Sequence, residues 1–370
     1  MTPPPDRAGR IAILGTVGVP GRYGGFETLA TQLADAAAAR GLAHRLTIWC
    51  SAPQTPAPRP ATYLGARLRY LPLSANGAQS VPFDVLSLWQ AARSGHDAAL
   101  LLGVSGALAL PLIRARFPMR IIAHPDGIEW QRPKWGRLAR TILRRSEAMA
   151  ARHADVVIAD NPAIAAHIRD SYGRDPVEIA YGHEHALSTP PAPIDDLALP
   201  PAYALALARA EPENNLATIL AAFADRPPPL PLVVLANWQA TAHGRALRSR
   251  YAPHTGIRLI EAEYDPARLR AIRARATLYL HGHSAGGTNP ALVEMMGTGR
   301  PIAAWDCAFN RATTENAAAY FDSAESLRAL LPALTDPAEA PTMAAKLQAI
   351  ARRRYRWDDV TQAYFRLLGL

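Results

Sequence analysis

The stretch His281-Gly-His-Ser-Ala-Gly-Gly-Thr-Asn-Pro-Ala-Leu-Val-Glu294 concentrates more reactive chemistry than any other part of the chain. A glycine-rich loop entering a helix turns free backbone N–H groups toward an anion. Glu294, about one turn into that helix, can accept hydrogen bonds from both hydroxyls of a ribose. Arg209 opens a second polar stretch, Arg-Ala-Glu-Pro-Glu-Asn-Asn215, after an apolar run. A guanidinium there can grip a diphosphate with two parallel bonds, a geometry that lysine lacks; a surface ion pair with Glu211 is the competing explanation. A third stretch, His124-Pro-Asp-Gly-Ile-Glu-Trp-Gln-Arg-Pro-Lys-Trp135, gathers titratable and aromatic groups. His124, Asp126 and Glu129 can orient a hydroxyl or stabilise charge on a sugar ring, although a polar loop capping the next helix would look the same. The fourth is the turn from Gly15 to Gly24-Gly25, which leads into a helix carrying Phe26, Leu29, Leu33 and Ala36 at helical spacing. Its glycines are not spaced as GxGxxG, and glycine turns after strands are common.

These stretches need a scaffold, and the hydrophobic pattern supplies one. Short apolar runs recur at helix-length intervals: 10–15, 45–49, 68–71, 98–103, 119–124, 155–160 and 177–181. A second set follows at 203–208, 231–236, 257–260, 277–281, 301–305 and 318–321. Strands alternating with helices imply parallel sheets covered on both faces, here two Rossmann-like α/β domains facing across a cleft. The Pro-rich segment 187–201 interrupts the pattern and reads as the linker. The expected domains are therefore 9–188 and 202–352, with 353–370 as a C-terminal segment. The helix 135–153 sets Trp135, Leu138, Ile142 and Met149 on one stripe, with Arg137, Arg140 and Arg144 nearly opposite. That pattern suits a core stripe under a solvated arginine face, or contact with anionic lipid.

Composition bounds the rest. A chain of 370 residues exceeds one ordinary core. Its 49% hydrophobic and 19% charged residues are globular, without an eighteen-residue apolar run. The Pro-rich start, 1–10, lacks the apolar stretch of a secretory signal, and the two cysteines, Cys50 and Cys307, are far apart. Both features lead us to expect a cytoplasmic protein. The net charge of +9 comes almost wholly from arginine, through either a GC-rich genome or a basic face for diphosphates, lipid headgroups or nucleic acid. His281-x-His283 has no third ligand nearby, and the Asp pairs 195–196 and 358–359 lie elsewhere, so no metal is expected.

Taken together, GTVGVPGRYGGFET, DGIEWQRPKW, DVVIADN, RAEPENN, HGHSAGGTNPALVEMM and FNRATTENAAAYF resemble, in that order, glycosyltransferase family 4. The resemblance is closest to its rhamnosyltransferase-like branch of capsule and exopolysaccharide assembly, and it spans nearly the whole chain. It implies a GT-B fold and retaining, metal-independent transfer without a cofactor. The leaving diphosphate would itself help deprotonate the acceptor. The implied donor is a nucleotide sugar, dTDP-rhamnose before UDP- or GDP-sugars. The implied acceptor is a lipid-linked glycan at the inner membrane surface, with no role for nucleic acid.

Carried onto this sequence, the resemblance assigns donor contacts to Gly24, Gly25, Arg209, Asn214, His283, Gly286, Gly287, Thr288, Asn289 and Glu294. Tyr23, Glu129 and Trp130 fall on the acceptor side, and Asp126, His124 and Arg209 at the reacting centre. The segment 353–370 looks like a closing helix that crosses back to the first domain. Two positions depart from the wider family: Gly286 stands where an acid eight residues before Glu294 is usual, and Asn214 where a lysine is usual. A non-catalytic nucleotide- or glycan-binding partner is the alternative. A dehydrogenase is disfavoured by the missing dinucleotide fingerprint.

Overall fold

The structure, a computed structural model, describes residues 9–21, 24–132, 135–224 and 230–370. The chain divides into two compact units, one reaching to Ile179 and including Asp358–Leu370, the other Ala180–Trp357. The change of unit at 179/180 precedes the Pro-rich segment expected to be the linker. That segment belongs to the second unit, where Ala192 donates its N–H to the Ala267 carbonyl at 3.1 Å.

The first unit contains β1 (Ile11–Leu14), β2 (Leu46–Ser51), β3 (Thr62–Tyr63), β4 (Ala66–Leu71), β5 (Ala98–Leu102), β6 (Arg120–His124), β7 (Val156–Ala159) and β8 (Val177–Glu178). Their order is β3-β4-β2-β1-β5-β6-β7-β8, parallel except for the edge pair β3–β4. β1 and β5 are buried along their whole length, as strands covered by helices on both faces must be. Strand order reverses between β1 and β5, which pair from Ile11↔Ala98 to Leu14↔Leu101. The last residues return to this unit. Val360, Tyr364, Phe365 and Leu368 of the helix Trp357–Leu368 are buried, and Arg45 donates to the Gly369 carbonyl at 3.0 Å.

The second unit contains β9 (Tyr203–Leu207), β10 (Leu232–Ala236), β11 (Ile257–Glu261), β12 (Ala276–His281), β13 (Ile302–Trp305) and β14 (Ala319–Phe321), in the order β11-β10-β9-β12-β13-β14 and parallel throughout. One core packs Leu220, Phe223, Val234, Trp238, Leu280 and Phe321 beneath the helices. Here the order reverses between β9 and β12, so the loops leaving these two strands bound the crevice where open α/β sheets hold ligands.

The helix Arg137–His153 is packed differently from the expected stripe. Leu138 is 75% exposed, and the buried face is Leu143, Ser146, Glu147, Ala150 and Ala151. The cause is a polar interior: Tyr172 donates to Glu147 Oε1 at 2.6 Å, and His167 Nε2 lies 2.7 Å from the same oxygen, which satisfies a carboxylate that periodicity alone would place outside.

Candidate functional site

In the second unit the two loops at the strand-order reversal are built against each other. β9 runs out at Leu207 into Arg209–Asn215, and β12 runs out at His281 into the glycine-rich loop. Ser284 donates both its N–H and its hydroxyl to the Glu213 carbonyl at 2.9 Å, and Asn215 Nδ2 donates to the Gly282 carbonyl at 2.8 Å. The approach is so close that a Cβ on Gly282 would run into the Asn214 carbonyl oxygen. Gly286, at φ +120, turns the loop into the helix Pro290–Gly297. Asn289 caps that helix by accepting the Ala291 N–H at 3.0 Å, with Pro290 at its first position. Thr288 is buried in this turn.

Arg209 is half-buried at the mouth of these loops. Among the described residues its guanidinium has no hydrogen bond or ion pair, and the pairing with Glu211 is not formed. Asn214 has a different task from the donor contact expected of it. It is 2% exposed, and its amide donates to the Arg209 carbonyl at 2.8 Å, so it shapes the turn that carries the arginine. His283 stacks on His281 with ring centroids 4.5 Å apart. Burial pushes His281 down to about 3.

Glu294 is buried in the fifth position of its helix. Arg273, from the helix Pro266–Arg275, donates to Oε2, and His185 Nε2 lies 3.1 Å from Oε1. Burial pushes the carboxyl up, but the Arg273 charge and the His185 contact prevail and hold it below the ordinary glutamate value.

The first unit arranges its polar residues beside the corresponding reversal, after β1, which borders it, and after β6, the strand next to β5. Gly15, at φ +84, passes so close to β5 that a Cβ would meet the Leu102 carbonyl oxygen. Gly24 precedes the helix Gly25–Ala39. Glu27, in the first turn of that helix, accepts the Val17 N–H at 2.9 Å and lies beneath Gly24, which leaves no room for a Cβ there. Burial and then the nearby Asp126 charge outweigh its hydrogen bonds and raise its carboxyl above the ordinary value.

His124, expected to face the reacting centre, is 1% exposed. Its Nδ1 meets the Tyr364 hydroxyl at 2.8 Å and the edge of Phe26 packs on its ring, while burial pushes it down to about 4. It is a neutral anchor for the C-terminal helix. Asp126 is half-exposed, 3.4 Å from Arg132. Glu129 is held by Arg132 Nε at 2.6 Å and by the Trp135 indole N–H at 2.9 Å, and Trp130 lies under Arg144. Tyr23 lies outside the described residues.

Comparison with known proteins bears on the scaffold. Residues 9–184 match the family model described as a domain of unknown function, DUF1972. No curated protein matches the chain in sequence. Among solved structures it is similar to a sucrose-phosphate synthase from Thermosynechococcus elongatus, at 18% identity and TM-score 0.81, covering 98% of this chain and 99% of that one. It is also similar to Anabaena HepE in complex with UDP-glucose (17%, TM-score 0.71, 98% and 99%). A third likeness is to the trehalose 6-phosphate synthase of Burkholderia multivorans (14%, 0.73, 98% and 96%). These neighbours are GT-B glycosyltransferases.

The fold is GT-B.

Within this GT-B chain the residues gathered at the second reversal are Arg209, Asn214, His283, Gly286, Thr288, Asn289 and Glu294, all on the two loops or the helix they enter. Sequence reasoning missed Arg273 and His185, which hold Glu294, and Glu27 at the first reversal. Nothing local in sequence marks Arg273 or His185. Glu27 carried a signal, an acid in the first turn of a helix that follows a glycine loop. Among the described residues no three His, Cys, Asp or Glu side chains come together as a metal-ligand set, and no helix is long and apolar enough to cross a membrane.

Proposed function

We propose that the chain is a retaining glycosyltransferase that takes rhamnose from dTDP-rhamnose and delivers it to a lipid-linked oligosaccharide in exopolysaccharide or capsule synthesis. The observation that carries the nucleotide-sugar reading is the open guanidinium of Arg209, half-buried and without an anionic partner among the described residues, beside a glycine-rich loop that enters a helix. A cation left uncompensated at such a place suits a diphosphate, which supplies both charge and a bidentate surface. Glu294, kept ionised by Arg273, suits a ribose diol. In this mechanism Arg209 and the loop amides stabilise the departing diphosphate, a contribution of about 3 kcal/mol per well-placed donor. The leaving group takes up the acceptor proton, so the reaction needs no metal.

The membrane-facing acceptor has support in the helix Arg137–His153, which exposes Leu138 beside Arg137, Arg140, Arg144 and Arg145 while its one acid, Glu147, is buried. Such a face suits anionic headgroups. The alternative of a non-catalytic binding partner draws on Gly286 in the place of an acid and on the inward amide of Asn214.

A thermal-shift series with dTDP, UDP, GDP and NAD tests the reading, because a ligand that binds only the folded state raises its stability. A shift with dTDP alone is the expected result. A UDP or GDP shift changes the donor. A nucleotide that stabilises the protein without any turnover of its sugar favours the binding partner, and silence with all four ligands removes the nucleotide reading.

A further inference from the structure

Glu294 is the end of a short chain of contacts that begins outside its own loop. Arg273 donates to Oε2, and His185 Nε2 lies 3.1 Å from Oε1. On the far side of the imidazole the indole N–H of Trp357 donates to His185 Nδ1 at 2.8 Å, with the rings edge to face at 5.6 Å. An indole nitrogen only donates, so Nδ1 must present its lone pair, and the proton of the neutral ring is left on Nε2, facing the carboxylate. Adding a second proton would set two N–H groups against each other.

The other charged groups nearby are occupied. Glu184 Oε2 accepts the Trp357 backbone N–H at 3.0 Å and lies 3.8 Å from His183 Nδ1, which itself is 2.7 Å from the Tyr355 carbonyl. Arg273 is spent on Glu294. Glu294 is therefore the acid that faces His185.

We propose that Trp357 fixes His185 as the Nε2–H tautomer, and that His185 and Arg273 together present Glu294 to the hydroxyls of a nucleotide ribose in a fixed orientation. The ribose half of this inference rests on the nucleotide-sugar reading. Each carboxylate oxygen accepts more than one hydrogen bond, so one contact on each from the protein leaves room on each for one hydroxyl. His185, Arg273 and Trp357 are positioning residues in this scheme.

Two measurements on the full chain test it. In 15N spectra of histidine-labelled protein at pH 8, the His185 signals, assigned by their loss in His185→Gln, should show an unprotonated Nδ1 and a protonated Nε2. In Trp357→Phe, with the indole donor gone, the Nδ1–H tautomer should become populated beside the Nε2–H one. Calorimetry with UDP and dTDP then compares each variant with the parent at the same pH, which cancels the ionisation of the ligand itself. Relative to the parent, Trp357→Phe should lose about threefold in affinity, because part of the His185 population then turns a lone pair toward Glu294.

His185→Gln keeps both contacts, its amide oxygen accepting the indole N–H and its NH2 donating to Glu294. Its affinity should stay within about twofold of the parent, whereas His185→Ala should lose about tenfold at every pH. If Trp357→Phe fails to fold, this pair still decides the positioning role. A protonated Nδ1 on the neutral His185 ring of the parent, a Trp357→Phe variant that keeps the parent's tautomer, or a His185→Gln as weak as His185→Ala would overturn the proposal. Failure of the parent to bind either nucleotide would overturn its ribose half, leaving the spectra to decide the tautomer.

Discussion

At the strand-order reversal of the second unit, the charged residues divide into a locked set and an open one. Arg273, His185 and Glu294 hold one another and Asn214 closes the turn beneath Arg209, whereas the Arg209 guanidinium and the buried Glu213 carboxylate have no hydrogen-bond partner among the described residues. At the corresponding reversal of the first unit the candidate residues are mostly committed inward: His124 to Tyr364, Glu129 to Arg132 and Trp135, and Glu27 to the Val17 amide. Asp126 keeps half its surface. The difference teaches that a shared strand-order reversal does not make two equivalent sites. A ligand-ready charge is recognised by what its neighbours leave undone, and among the described candidate site residues the open arginine is Arg209.

The strongest test of the locked set is Glu294→Leu, which strands a buried arginine and should cost about 3 to 5 kcal/mol. Hydrogen exchange should show the loss in the second sheet and spare the first. Equal loss in both sheets would erase the contrast drawn here. A property the two units share is acid sensitivity through buried neutral histidines, His124 at about 4 and His281 at about 3. In each case the unfolded ring takes its proton near pH 6.5 while the folded one refuses it. Stability is therefore fully present above 6.5 and falls as pH drops from there toward 4, by on the order of 3 kcal/mol for His124. Urea titrations at pH 7, 5 and 4 would reveal it, and a flat midpoint would contradict the buried neutral state.

Arg209→Ala should leave the unfolding midpoint unchanged, because no intramolecular partner is lost, and weaken nucleotide binding by about 1.5 to 3 kcal/mol. Arg209→Lys should not restore it, since one ammonium cannot reproduce the fork. A variant that loses stability instead of affinity would move Arg209 into the locked set. The smallest effect concerns Asp84, buried in the first unit with Oδ1 unpartnered and its carboxyl pushed well above the ordinary value by burial. A raised acid is harmless below the unfolded value and increasingly costly as pH rises past it, so Asp84→Asn should stabilise the protein by about 1 kcal/mol at pH 7 and by nothing at pH 3.5. Thermal denaturation at the two values checks the sign.

Much of this was legible in the sequence, for reasons specific to each element. β1, β5, β9 and β10 are covered on both faces and so appear as continuous apolar runs. β3, two residues on an exposed edge, leaves no such trace, and β8 is shorter than its apolar run suggested. The helix Arg137–His153 was misread because Ser146 and Glu147 lie on its buried face. The loops of the second reversal were legible because glycine, asparagine and proline at 282–290 have local causes in turn and cap geometry. The contacts that hold Glu294 come from distant parts of the chain, and no local pattern records which arginine or histidine will arrive.

The return of residues 358–370 to the first unit has a consequence for synthesis. Every residue of the second unit leaves the ribosome before the segment that seats Tyr364 on His124. During translation the first unit therefore waits with that histidine uncovered while the second completes itself, and anything fused or trimmed near Leu370 acts on the unit that was made first.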